Sequence, residues 1–144
     1  LAEGRGEIIK PVKTGSLSEI WGVLVNPGFH VSTGNIYTQY NYDLTSNESD
    51  YKFVRLLSGL KNGCLNDIAN GMHNDLESVA FRKYPMIEII RDRLVELGAV
   101  AALMSGSGAT VFGLAENRAK AEEIAKKIPE SAGCPLWHKV VSFL

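Results

Sequence analysis

One stretch limits this chain's folding choices more than any other: Met104-Ser105-Gly106-Ser107-Gly108-Ala109-Thr110-Val111-Phe112. It reads as strand, tight loop, strand. Residues 99–104 are small or apolar, and residues 110–114 are β-branched, aromatic or apolar, which suits a half-buried pleated surface. Between them, two glycines two positions apart free the backbone for left-handed or extended conformations. Two readings stay open on these residues alone. The loop's peptide N–H groups can converge on a concavity suited to an anion, with the hydroxyls of Ser105 and Ser107 adding donors. Equally, the loop can be a glycine-rich hairpin turn and nothing more.

The common nucleotide loops do not fit. A dinucleotide fingerprint needs a third glycine and a following helix, but Val111 stands at that position and a strand-forming run follows. A P-loop needs a Gly-Lys pair, and no lysine or arginine lies between Arg93 and Arg118. A net charge of -1, with the basic residues scattered, argues against nucleic acid or an anionic membrane surface as partner. No stretch approaches the ~18 apolar residues of a membrane span. Cys64 and Cys134 lie far apart with no C-x-x-C, so they read as reduced thiols of a cytosolic protein. His30, His73 and His138 are equally dispersed, and no metal site is expected.

The length of 144 residues, 45% of them hydrophobic, suits one domain. The chain opens on Leu1 without a signal peptide, so we expect a piece of a longer polypeptide. Residues 8–12 read as a short strand, 14–18 as a polar loop and 20–25 as a central strand. Ser32 or Thr33 can cap a helix carrying Ile36, Tyr37 and Tyr40. A polar linker at 41–49 precedes a helix at 51–60, whose stripe of Phe53, Val54, Leu57 and Leu60 is expected in the core. Asn74 and Glu77 are spaced as a capping box, which accounts for them more simply than a divalent-cation site does. Pro85 opens a helix with Met86, Ile89, Ile90, Leu94 and Leu97, and Gly98 stops it. Asn117 caps a last helix carrying Ala121, Ile124, Ala125 and Ile128, with Pro129 just beyond. Residues 136–143 form the final strand. Lys61, Arg82 and Lys83 read as solvated. This order predicts an α+β fold: an antiparallel sheet with helices packed on one face, ending in half of a ferredoxin-like unit.

Four segments together resemble the GHMP kinases. The glycine loop is similar to their third conserved motif. Asn74-Asp75-Leu76-Glu77, the run Pro27-Gly28-Phe29-His30-Val31-Ser32-Thr33-Gly34-Asn35-Ile36-Tyr37 and the opening Ala2-Glu3-Gly4-Arg5-Gly6-Glu7 resemble one branch. That branch phosphorylates diphosphocytidyl-methylerythritol in the non-mevalonate route to isoprenoids. The resemblance implies that 1–144 is the substrate-binding C-terminal domain, with a remnant of the preceding domain at about 1–18. It implies a two-domain enzyme that uses ATP and Mg²⁺, in the bacterial cytoplasm or the plastid stroma. The catalytic residues and main ATP loop are expected upstream of Leu1, so this chain alone should hold no catalytic residue, no tightly bound cofactor and no turnover.

By the same resemblance Thr33 lines the substrate site and Tyr37 covers the cytosine ring. Ser105, Gly106, Ser107 and Gly108 border the transferring phosphate. The residues themselves say less: Thr33 and Tyr37 share a helix face, which a cap and a core aromatic would also do. The implied partners are the small-molecule substrate and the N-terminal domain. The face that domain would cover is expected to be apolar, exposed and prone to self-association. Two rivals remain, a free-standing ferredoxin-like ligand-binding or regulatory module, and another GHMP branch with a different acceptor.

Overall fold

Strand β3 (Trp21–Asn26) is apolar on both faces, and it takes a central place. In the computed structural model it pairs antiparallel with β5 (Val111–Ala115) on one side and β6 (Trp137–Ser142) on the other, and β4 (Ala101–Met104) closes the far edge against β5. The order β4-β5-β3-β6 is fully antiparallel and has the ferredoxin-like arrangement. A separate two-stranded pair joins β1 (Ala2–Glu3) to β2 (Ile8–Ile9). The structure describes residues 2–3, 7–12, 14–15, 19–40, 48–132 and 135–143. Expectations placed on 4–6, 16–18, 41–47 and Cys134 lie outside these residues.

Alternation along the strands separates two apolar layers. Val23, Val25, Val111 and Met104 point to one side and form the main core with helices α4 (Glu77–Lys83), α5 (Pro85–Glu96) and α6 (Arg118–Ala132). Ile36 of the short helix α1 (Thr33–Gln39) is fully buried in the same core. A second cluster forms on the opposite side. There Ile20, Leu114 and Phe112 meet Leu56 and Leu60 of α2 (Glu48–Asn62) and Ile68 of α3 (Leu65–Gly71). The expected class holds, and the α2–α3 pair adds cover to the second face of the sheet.

Three local readings change. Phe53 and Val54 are exposed, not core. The buried side of α2 runs instead through Leu56, Gly59 and Leu60, because α3, which the sequence reading did not identify, packs there. The two helices touch at glycines: a Cβ on Gly71 would lie 2.4 Å from the backbone nitrogen of Leu56, and one on Gly59 2.6 Å from that of Ile68. On α5, Ile87 joins Ile90 and Leu94 in the core, while Ile89 faces outward. Pro129 lies inside α6, which continues to Ala132. Its missing N–H removes one ladder bond without ending the helix.

The signals that bound α5 and α6 behave as expected, whereas Ser32 stands at the N-cap of α1 without a side-chain cap bond and the Thr33 hydroxyl pairs with Ser107 instead. Asn117 Oδ1 accepts the Lys120 N–H at 2.9 Å, satisfying a donor at the start of α6. Pro85 occupies the first turn of α5. The Ala99 N–H donates to the Leu94 carbonyl and the Gly98 N–H to that of Val95, a Schellman closure with Gly98 at φ 101°. Lys61, Arg82 and Lys83 are exposed.

The two layers predict a contrast. Leu94→Ala, which empties a fully buried position, is expected to cost about 2–5 kcal/mol of unfolding free energy in urea titrations. Val54→Ser on the open side of α2 should stay within about 0.5 kcal/mol of the parent. Equal losses at both positions would mean that α2 is covered where the structure leaves it open.

Candidate functional site

The glycine segment is the connection of the β4–β5 hairpin. The Ser105 N–H donates to the Thr110 carbonyl at 2.8 Å, and the Gly108 N–H to the Ser105 carbonyl at 3.0 Å. Two of the N–H groups that a bound anion could use therefore close the turn. Those of Gly106 and Ser107 have no protein partner among the described residues. Gly106 and Gly108 both sit at positive φ, 57° and 91°. A Cβ on Gly108 would also come within 3.0 Å of Met104 Sδ and 3.1 Å of Ile87 Cδ1, so the loop folds down onto the core.

Side chains from elsewhere in the fold fix this loop. Asn74 does not cap α4, whose N-cap position is Leu76 and carries no side-chain cap bond. Its Nδ2 instead donates to the carbonyls of Met104 and Gly106, both at 2.8 Å, while its Oδ1 accepts the Leu76 N–H at 3.0 Å. Glu77 likewise turns away from its own helix end, and its Oε1 accepts the Met104 N–H at 2.7 Å. The expected capping box is thus replaced by a brace. Both residues face the β4–β5 loop because the chain turns into α4 directly against it, and the loop's backbone groups need partners. At the exit of the loop, Asn26 Nδ2 donates to Thr110 Oγ1 at 2.9 Å.

Thr33 and Ser107, far apart in sequence, share a hydroxyl–hydroxyl hydrogen bond of 2.9 Å. Tyr37, one turn beyond Thr33, is about half exposed. It lines an open cavity of about 480 Å³ with Tyr40, His73, Asn74, Ser105 and Gly106, floored by Leu103 and Phe112. The structure therefore brings Thr33 to Ser107, and Tyr37 to Ser105 and Gly106. Thr33, Ser107 and Gly108 do not line this cavity, and Gly108 lies under the loop against Met104 and Ile87. Sequence reasoning did not single out Tyr40 or His73 as site residues. Asp75 accepts from or is paired with His73 Nε2 at 2.7 Å, and this pair stands beside the cavity. The adjacency of His73 to the Asn74-Asp75-Leu76-Glu77 motif was the available signal.

Glu77 is the electrostatically unusual group. Burial raises its pKa above the ordinary value of 4.5, against the opposing pull of the Met104 N–H, Arg91 and His73. Arg91 is 3.9 Å away but also serves Glu88 and Asp92, and it lies over the Phe81 ring at 4.7 Å. Its charge is divided, so it compensates Glu77 only in part.

The sequence and the antiparallel α+β fold have known counterparts. Residues 56–133 match the family described as GHMP kinases C terminal, and the chain belongs to that family. The 4-diphosphocytidyl-2-C-methyl-D-erythritol kinase of Syntrophus aciditrophicus is 45% identical over 122 residues, covering 85% of this chain and 41% of that protein. The kinase of the same name from Pelobacter propionicus is 38% identical over 142 residues, covering 99% of this chain and 46% of its own length. A crystal structure of 4-(cytidine 5'-diphospho)-2C-methyl-D-erythritol kinase superposes with a TM-score of 0.68 at 29% identity, covering 96% of this chain and 48% of that one. The chain spans less than half the length of each of these relatives.

The Glu77 environment gives a pH prediction. A raised carboxyl pKa means that the folded chain holds a proton the unfolded chain has released. The favourable contribution is complete below 4.5 and is lost as pH rises through the elevated value. Glu77→Gln keeps an acceptor oxygen for Met104 and carries no charge. Its stability relative to the parent should therefore improve from about pH 4 to about pH 7 in urea unfolding. A parent–variant difference that is flat across that range, or that reverses, would contradict the assigned cause.

Proposed function

We propose that this chain is the acceptor-binding part of an ATP-dependent kinase that phosphorylates a hydroxyl of 4-diphosphocytidyl-2-C-methyl-D-erythritol. The observation that carries this reading is the joint opening of Tyr37 and the Ser105–Gly106 corner onto one cavity, with α1 tied to the loop through Thr33 and Ser107. An exposed aromatic ring is a stacking platform for a base. Tyr37 would hold the cytosine, and Thr33 would line the acceptor site beside it. Ser105, Gly106, Ser107 and Gly108 would border the transferring phosphate, with the Gly106 and Ser107 N–H groups and the two hydroxyls as donors. Phosphoryl transfer depends chiefly on positioning and on stabilising charge, and this loop supplies positioned donors. The names of the relatives support this acceptor over another GHMP branch.

ATP and Mg²⁺ are the implied cofactors. The loop's donors fit a phosphate edge. The carboxylates nearest to it do not fit a Mg²⁺ site, since Glu77 is committed to Met104 and Asp75 is paired with His73. The ion would be held by groups outside this chain, and nothing here is routed through it. No helix of the described residues is long and apolar enough to cross a membrane. The relatives are bacterial, and the cytoplasm is the compartment we propose.

Three experiments test the reading. In the full-length gene product, Tyr37→Ala should weaken cytidine diphosphate binding by about 1–3 kcal/mol in calorimetric titration, while Tyr37→Phe keeps it. Undiminished binding by Tyr37→Ala would remove the ring from the site. The 144-residue chain alone is expected to show no turnover of ATP with this acceptor. It should also self-associate in gel filtration through its exposed Tyr51, Phe53, Val54, Trp137 and Phe143. Measurable product, or a strict monomer at high concentration, would count against the half-enzyme and its uncovered face respectively.

A further inference from the structure

We infer that Asn74 and Glu77 are positioning residues that set the shape of the 105–108 loop, and hence the placement of its ligand-facing donors. The inference rests on the proposed acceptor site for its functional consequence, and on geometry alone for the brace itself. Four residues of glycine and serine cannot order themselves by packing, because they carry almost no side-chain surface. Two backbone bonds close the turn and Thr33 holds Ser107, and three further bonds from Asn74 and Glu77 fix its entry. The Asn74 amide grips the carbonyls of Met104 and Gly106 at 2.8 Å each, which fixes both the entry to the loop and its first glycine. Glu77 holds the Met104 N–H at 2.7 Å from the other side of the same residue. Met104 is itself buried and is the last residue of β4, so the brace is anchored to the sheet. With those carbonyls turned toward Asn74, the Ser105 and Gly106 corner opens on the cavity.

The chemistry separates this role from a local one. Asn74 also accepts the Leu76 N–H through Oδ1, a turn leading into α4. Aspartate can keep that acceptor bond but cannot donate, and it would set a negative charge against two carbonyl oxygens. Asn74→Asp therefore preserves the turn and destroys the brace. Asn74→Ala removes both. Glutamine at 77 retains an oxygen for Met104, whereas alanine leaves the buried N–H without a partner.

The test is hydrogen exchange by mass spectrometry on the full-length gene product and its variants, with cytidine diphosphate titrated into the same preparations. Asn74→Asp and Glu77→Ala should each speed exchange in peptides spanning 103–108 by about tenfold, while peptides from α5 and α6 keep their protection. Glu77→Gln should restore slow exchange. Cytidine diphosphate affinity should fall about tenfold or more in Asn74→Asp and in Glu77→Ala, and stay near the parent's in Glu77→Gln. Unchanged loop exchange in Asn74→Asp overturns the brace, as does a loss confined to α4. Faster loop exchange with unaltered affinity overturns the positioning role. If the parent itself fails to bind cytidine diphosphate, the acceptor reading falls, and the exchange result still decides the brace.

Discussion

A loop built from the smallest residues can approach a ligand closely only if something else gives it a shape. Here that constraint falls on one amide side chain, Asn74, whose nitrogen is shared between two carbonyls of the β4–β5 connection. The rest of the structure can be read from it. The amide can reach only if α4 starts beside the end of β4. That start requires α4 and α5 to lie on the inner side of the sheet, where Val79, Ala80, Ile87, Ile90 and Leu94 complete the core. The apolar layer thus places the polar brace, and the brace places the loop.

The neighbouring charge follows the same logic. Glu77 is held in partial burial because Met104, whose N–H it accepts, ends a strand whose side chain is in the core. A neutral acceptor would avoid the desolvation that raises its pKa. A carboxylate makes a stronger bond to the N–H. It also draws Arg91 of α5, which pairs with Glu88 on its own helix and lies over Phe81 of α4. The cost of an ionised group at this point is the counterpart of tying two helices and a strand end to one backbone amide.

Much of this fold was legible because strand and helix signals were local. The β4–β5 hairpin, the central β3, Asn117 as cap, Pro85 at the first turn of α5 and the Gly98 closure each depend on a few adjacent residues. What failed was longer in range. Phe53 and Val54 satisfy helical periodicity as well as Leu56 and Leu60 do, and only the position of α3 decides which side is buried. Asn74 and Glu77 are spaced as a capping box, and no local property distinguishes that from two residues turned toward a strand thirty positions away. Thr33 and Tyr37 were placed by resemblance. The hydrogen bond between Thr33 and Ser107 is a tertiary fact that spacing on one helix could not contain.

The misreading of Asn74 has a physical lesson about motifs that combine an amide, a carboxylate and a glycine loop. In a capping box both side chains satisfy donors of the same helix end. In this chain one side chain donates and the other accepts, and both act on backbone that arrives from elsewhere. The decisive chemical difference is the donor. A local cap at position 74 needs only an acceptor, which asparagine, aspartate and serine all supply. The link to Met104 and Gly106 needs an N–H pair, which among those three only asparagine has. Of the three, only asparagine allows the loop brace together with the local turn, and here it makes both. It does so through hydrogen-bond direction rather than through size, charge or helix propensity.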